Sequence, residues 1–291
     1  MQIEIIFLGT GSGIPTIKRS HPAILINYNG DYLLFDCGEN CQIGLQKAKV
    51  SPLKINRIFI THWHADHFAG LIPLIETMHL LKREKPLYIY APDASEFVDS
   101  ILDMSYWSAG FELIAKNVSD FKKIFSSKKY DIFSMPVKHS VPSFGYIFRE
   151  KGRWNINMQK AREYGLSGKE LQVLKENRKI NKNGRNIKLK DVADYTKGRK
   201  IIYSGDTEIY EEVFKKASGS VLIHDSTFID EGRHKHSSAI DVATLAKNYK
   251  VKKLILTHFS RRYKNMSVFK KAIVPIFKNV IFAEDGMRVF I

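Results

Sequence analysis

Six positions constrain this chain more than any other stretch. Residues 60–70 read ITHWHADHFAG, and His62, His64, Asp66 and His67 all fall between positions 62 and 67. A β-like run, residues 57–61, ends at Thr61. In extended backbone, side chains two apart project to one side, so His62 and His64 can hold one cation together. The chain then turns towards a helix, and Asp66 and His67 can face a second cation close by. Imidazole combined with hard carboxylate suits a divalent metal, zinc first, with manganese and iron left open. The bland alternative is a polar loop with incidental histidines. Ten His in 291 residues make four ligand-type residues in six positions hard to reach by accident.

One such string does not complete a two-metal site, so further ligands are expected at later strand ends. His139 closes DIFSMPVKH, Asp206 follows a strand in YSGDT, and His258 follows one in LILTHFS. Each sits just beyond an apolar β run, the same address as His62. The surrounding pattern is consistent. β-like runs are read at residues 2–8, 23–28 and 32–35, the last two flanking the hairpin signal Asn29-Gly30. Others follow at 87–90, 130–136, 145–148, 200–203, 220–223, 253–256, 280–282 and 288–291. Helical spacing is seen at 71–81, 211–217, 239–248 and 268–276. About a dozen strands with helices packed outside imply a layered α/β protein with two sheets.

The longest apolar runs, such as 221–223, are far too short to span a bilayer. The N-terminus reads as a strand running into the fold, not as a leader. Cys37 and Cys41 cannot staple a secreted scaffold and form no C-x-x-C pair. A cytoplasmic protein is expected.

Charge is the other informative feature. The net charge is +16, and residues 151–200 carry fifteen Lys/Arg against five Asp/Glu, a local net of +10. Their apolar spacing is poor, and residues 181–186 (NKNGRN) read as a turn. The expectation is a single domain over residues 1–291, with a basic arm or insertion at about 151–200 that has no core of its own. Such an excess points to a polyanion, nucleic acid before a membrane surface, with Lys179, Lys182 and Arg185 as candidate RNA contacts. A solvated Lys-rich loop is the plain alternative. His21, His79, His224 and His234 read as structural or surface residues, and Trp63 and Phe68 as packing groups.

THWHADH, the Asp of SGDT and the His of LTHFS resemble the metallo-β-lactamase superfamily. The resemblance implies a four-layered αββα sandwich with a dinuclear centre at one edge. It implies His62, His64 and His139 on one ion, Asp66, His67 and His258 on the other, and Asp206 bridging. Asp66 is then the best candidate for general base.

Further strings, FLGTGSGIPT, LLFDCGENC, HSVPSFGYIF and LTHFSRRY, are similar to ribonuclease Z, the tRNA 3′-processing endonucleases. Gly9 to Gly13 lacks the Lys of a phosphate-binding loop and reads as a tight turn. Asp36 is expected to orient a ligand histidine. His224 to Phe228 (HDSTF), with His236-Ser237-Ser238, stands where that family has H-E-A-T-F and H-S-T. The resemblance implies that Asp225 and His236 protonate the leaving oxygen, although Asp is one methylene shorter than Glu. It implies a zinc-dependent endoribonuclease with two divalent ions per subunit, cutting precursor tRNA 3′ of the discriminator base. It also implies a homodimer that grips tRNA through an arm, with no membrane partner. The Gly-Pro signature of that arm is absent. Rival readings are a small-molecule phosphodiesterase or lactonase of the same fold, a non-catalytic RNA-binding protein on a decayed fold, and a nuclease acting on mRNA or DNA ends.

Overall fold

The computed structural model describes residues 2–103 and 109–291. Two seven-stranded sheets dominate it. The first runs in the order Arg288–Phe290, Ile3–Gly9, Ala23–Tyr28, Asp31–Phe35, Ile55–Phe59, Leu87–Ala91, Leu113–Asn117. The second runs Val280–Phe282, Lys253–Thr257, Val221–Asp225, Lys200–Tyr203, Phe144–Glu150, Tyr130–Pro136, Lys123–Ser126.

Strands such as Ile3–Gly9 and Val221–Asp225 are buried along nearly their whole length, as strands covered on both faces must be. In the first sheet Ile6, Leu25, Leu34, Ile58 and Ile89 face outward. There they meet the helices Cys41–Lys47, Leu71–Leu80 and Ala94–Asp103 through Leu45, Leu74, Met78 and Val98. In the second, Ile202, Leu222, Leu254 and Leu256 meet Glu211–Ala217, Ala239–Asn248 and Ser267–Ile273 through Phe214, Val242 and Phe269. The inner faces meet through aromatic rings. Phe59 lies 5.4 Å and Phe35 6.0 Å from the Tyr146 ring, and Tyr28 lies 5.5 Å from Phe148. The Tyr146 hydroxyl crosses between the sheets to donate to the Ile60 carbonyl at 2.6 Å. The layers are helix, sheet, sheet, helix, as the sequence implied. Trp63 and Phe68 are packing groups: Trp63 stacks on Phe97 at 4.4 Å and meets Phe68 edge-on.

Strand direction places the site. Asp31–Phe35, Ile55–Phe59 and Leu87–Ala91 are parallel, as are Lys200–Tyr203, Val221–Asp225 and Lys253–Thr257. Parallel strands all end on the same sheet edge, and ligand sites in such sheets form beyond those ends. Asp36, His62, Asp206 and His258 each follow one of these strands within three residues.

By contact density the chain divides into two compact units, one holding both sheets and the other formed by Ser126–Asp131 and Arg149–Lys200. The expectation that the basic segment has no core of its own is corrected here. Leu174, Ile187, Leu189, Val192 and Ala193 are buried together in it. The sequence hid this because the apolar positions are spread over short elements between lysines. The helix Gly168–Asn177 starts on a capping box, Ser167 with Glu170. Lys179–Lys182 and Arg185–Lys188 pair antiparallel. Asn183 and Gly184 turn that hairpin with φ of 51° and 76°, the left-handed pair that a two-residue turn requires. Among the described residues, no helix is long and apolar enough to cross a membrane.

Candidate metal centre

Every ligand-type residue named from the sequence reaches one place in the two-sheet unit. Donor atoms of His62, His64 and His139 lie within 4.8 Å of one another, and so do those of Asp66, His67, Asp206 and His258. The His64 Nδ1 is 3.1 Å from His62 Nε2 and 3.2 Å from His139 Nε2. The Asp206 Oδ2 stands between the two groups, 3.2 Å from both His67 Nε2 and His258 Nε2 and 3.9 Å from His62 Nε2. That is where a carboxylate shared by two ions would sit.

The local backbone explains the aim of these side chains. Asp36 and His258 both adopt left-handed φ, 56° and 62°, at the first residue past a strand. Such conformations are uncommon outside glycine and mark positions the surroundings over-determine. Gly205, with φ 61°, lies so close to Thr61 that a Cβ there would approach Thr61 Cγ2 to 2.7 Å. The glycine of SGDT therefore lets Asp206 reach the other sheet's ligands.

Hydrogen bonds fix which ring nitrogen each histidine offers. The His67 Nδ1 donates to Asp36 Oδ2 at 2.8 Å, leaving Nε2 for a cation. The His62 Nδ1 donates to Thr61 Oγ1 at 3.0 Å, and Thr61 donates onward to Asp36. The His258 Nδ1 donates to Thr227 Oγ1 at 2.7 Å, and Thr227 donates to Asp225 Oδ1 at 2.7 Å. His139 Nδ1 donates to the Lys235 carbonyl at 3.1 Å. Four imidazoles are thus held with Nε2 turned inward, the arrangement that second-shell partners impose on metal-binding histidines. His64 is the exception, presenting Nδ1.

Sequence reading found Asp36 but missed Thr61, Thr227, Tyr203 and the Lys235 carbonyl. Thr227 lies within the HDSTF string and Thr61 directly precedes the first ligand, so adjacency was the available signal. Nothing in the sequence marks Tyr203 or a backbone carbonyl.

The donor set fits divalent cations. Among the described residues Asp206 Oδ1 is buried without a hydrogen-bond partner, a costly state for a polar group unless something charged satisfies it. Burial pushes His62 and His139 down, towards the neutral form a ligand needs. For His258, burial opposes charge, yet Asp206, Asp225 and Asp66 outweigh it and hold the ring up at about 10. His67 is raised for the same reason, Asp206 and Asp36 overcoming its burial. The cluster has a surplus of negative charge that a cation would answer.

Two residues stand just outside the ligands. His236 Nδ1 is 2.9 Å from Asp225 Oδ2 and 3.7 Å from Asp206 Oδ2. The shorter Asp side chain therefore reaches its histidine. Burial works against a charge on His236, and the Asp225 and Asp206 carboxylates overcome it, so its pKa is raised. Asp225 is held below the ordinary carboxylate range despite burial, chiefly by His236. A cavity of about 370 Å³ opens here, lined by Asp66, His236, Arg261 and Arg262 among others. It adjoins a larger one of about 890 Å³ that shares Ile14, Ser260 and Arg261 and adds Lys18, Arg19, Lys264 and Lys270. Cations outnumber the two carboxylates of the larger cavity, Glu284 and Asp285, so its wall would attract an anionic ligand.

Two facing sheets with paired His/Asp clusters on their common edge define a metallo-hydrolase of the metallo-β-lactamase fold. A metallo-β-lactamase fold protein from Bacillus subtilis superposes with TM-score 0.71 over all of both chains, at 16% identity. The family described as Anti-Pycsar protein Apyc1 matches residues 3–147, a span that ends before Asp206, Asp225, His236 and His258. Human tRNase Z, short form, matches with TM-score 0.72 and 26% identity over 98% of each chain. The ribonuclease Z of Pyrococcus horikoshii is 39% identical over 288 residues, 94% of both chains. This chain belongs to the ribonuclease Z family.

The orienting role of Asp36 is testable. Asp36→Asn turns an acceptor into a donor facing His67 or Tyr203. A divalent-metal titration should show affinity lowered by about 10- to 100-fold, with little change in fold content by circular dichroism. Unchanged affinity would remove Asp36 from this role.

Proposed function

We propose that this protein removes the 3′ trailer of precursor tRNA, cutting 3′ of the discriminator base to leave a 3′-hydroxyl and a 5′-phosphate. The full-length match to ribonuclease Z relatives carries this reading. A small-molecule phosphodiesterase or lactonase is the weaker alternative. A diphosphatase is among the structural neighbours, but at 18% identity it speaks for the fold alone.

His62, His64 and His139 would hold one divalent ion and Asp66, His67 and His258 the other, with Asp206 between them. Zinc suits imidazole and carboxylate donors in this mixture. Two bound ions would supply positive charge for the phosphoryl oxygens and lower the pKa of water at the centre. Asp66 takes the proton of the attacking water. His236, charged and steadied by Asp225, donates its proton to the departing 3′-oxygen. Arg261 and Arg262 favour the phosphate backbone over neutral substrates.

Lys179 and Arg185 contact tRNA phosphates in this reading. Lys182 contributes less, because Glu170 already holds its ammonium at 2.9 Å. The protein acts as a cytoplasmic homodimer without a membrane partner, an assignment that rests on the tRNA substrate and the family resemblance.

The test is a cleavage assay on precursor tRNA with Zn²⁺ or Mn²⁺ supplied. The wild type should release the trailer. Asp66→Ala should lower the rate by more than about a hundredfold, in the range a positioned base supplies, while binding tRNA with unchanged affinity. Hydrolysis of small esters with precursor tRNA left intact would contradict the assignment.

The acid makes a second expectation. His236 must be protonated to donate, so single-turnover cleavage should fall as pH rises through its raised pKa. Asp225→Asn removes the main charge that raises it, so the alkaline limb should move to lower pH. A limb that stays in place would exclude His236 as the titrating acid.

A further inference from the structure

The smaller unit contains a feature that metal chemistry does not use. Strand register sets Trp154 directly opposite Tyr195, with ring centroids 5.2 Å apart. Two residues along, on the same face, Ile156 packs on the unit's buried cluster and Ala193 belongs to it. The aromatic pair stays in water instead: Trp154 is 36% and Tyr195 56% exposed. Beside Trp154 lies a concavity of about 300 Å³ lined by Asn177, Arg178, Lys179, Lys188, Leu189 and Lys190. Four cations and one flat aromatic wall surround it, and among the described residues no carboxylate does.

We propose that this concavity is a stacking site for an unpaired nucleobase of the tRNA substrate, with Trp154 as the platform and Tyr195 as its support. The inference rests on the reading of the protein as acting on precursor tRNA. Lysines alone would explain phosphate attraction, but they need no large ring left in solvent. A base inside a helix already has its faces covered by neighbours, whereas an unpaired base of a loop, bulge or single-stranded end can offer one to a protein ring. Stacking of this kind tolerates any base identity, because each has a flat face. Arg178, Lys179, Lys188 and Lys190 then hold the phosphates on either side of that nucleotide. Charge attraction fills the surroundings and the ring selects an unpaired segment.

The experiment uses the full, metal-loaded protein and a full-length precursor tRNA. Trp154→Leu keeps apolar bulk and removes the flat ring, so it should weaken tRNA binding by about tenfold, within the range of one lost base stack. Hydrolysis of bis(p-nitrophenyl) phosphate should not change, which shows that the fold and metal centre are intact. Trp154→Phe should restore most of the affinity. The dependence of affinity on salt should keep its slope in Trp154→Leu and become shallower when Lys179 and Lys190 are both changed to Gln. An abasic scan of the tRNA loops and the 3′ trailer should find one position whose loss is not additive with Trp154→Leu.

Equal tRNA affinity in Trp154→Leu would overturn the site. So would an abasic scan with no coupled position, or loss of binding to phosphatidylserine vesicles in Trp154→Leu with tRNA binding unchanged. Failure of the two readings can be told apart. Trp154-dependent binding without cleavage sinks the activity and leaves this site, whereas cleavage and binding indifferent to Trp154 sink this site alone.

Discussion

The structure turns on one buried carboxylate. Asp36 has no exposure to solvent, and an ionised group there is tolerable only if its oxygens are filled with donors. They are. The Thr61 amide and hydroxyl, the His67 ring and the Tyr203 hydroxyl all donate to it. Those donors come from both sheets, so one charge ties the sandwich together at the edge where the ligands gather. It also fixes His67 directly and His62 through Thr61. Phe35, Phe59 and Tyr146 pack between the sheets close by, and the Asp36 donors join the two sheets at the site.

The same logic repeats on the opposite side of the centre. Asp225 receives Thr227, which receives His258, and its other oxygen holds His236. One carboxylate therefore orients a ligand and charges a proton donor. The two relays, Asp36 and Asp225, bracket Asp206, whose oxygen stands between the metal-ligand groups.

The ligands were legible because a strand end is a local event: an apolar run followed by His or Asp needs no knowledge of the rest of the chain. His62, Asp206 and His258 show that pattern plainly. The relay residues were hidden because their meaning is non-local. Tyr203 looks like any aromatic at a strand end until the sandwich brings it 2.7 Å from Asp36, 167 residues earlier in the chain. The Lys235 carbonyl that steadies His139 carries no side-chain signature at all. The core of the basic segment is hidden for another reason. Its apolar residues, such as Leu174, Ile187 and Val192, are too few and too widely spaced between lysines to show a period.

The metal string and the largest local charge excess fall in different compact units. The two-sheet unit holds the paired His/Asp groups that could bind metal, and the smaller one concentrates lysines and arginines. The proposed cleavage depends on attack by water with departure of the 3′-oxygen. Cleavage of precursor tRNA in H₂¹⁸O, followed by mass spectrometry of both products, tests it most directly. One ¹⁸O is expected in the 5′-phosphate of the trailer and none at the tRNA 3′ end. An unlabelled trailer together with a 2′,3′-cyclic phosphate on the tRNA would contradict it.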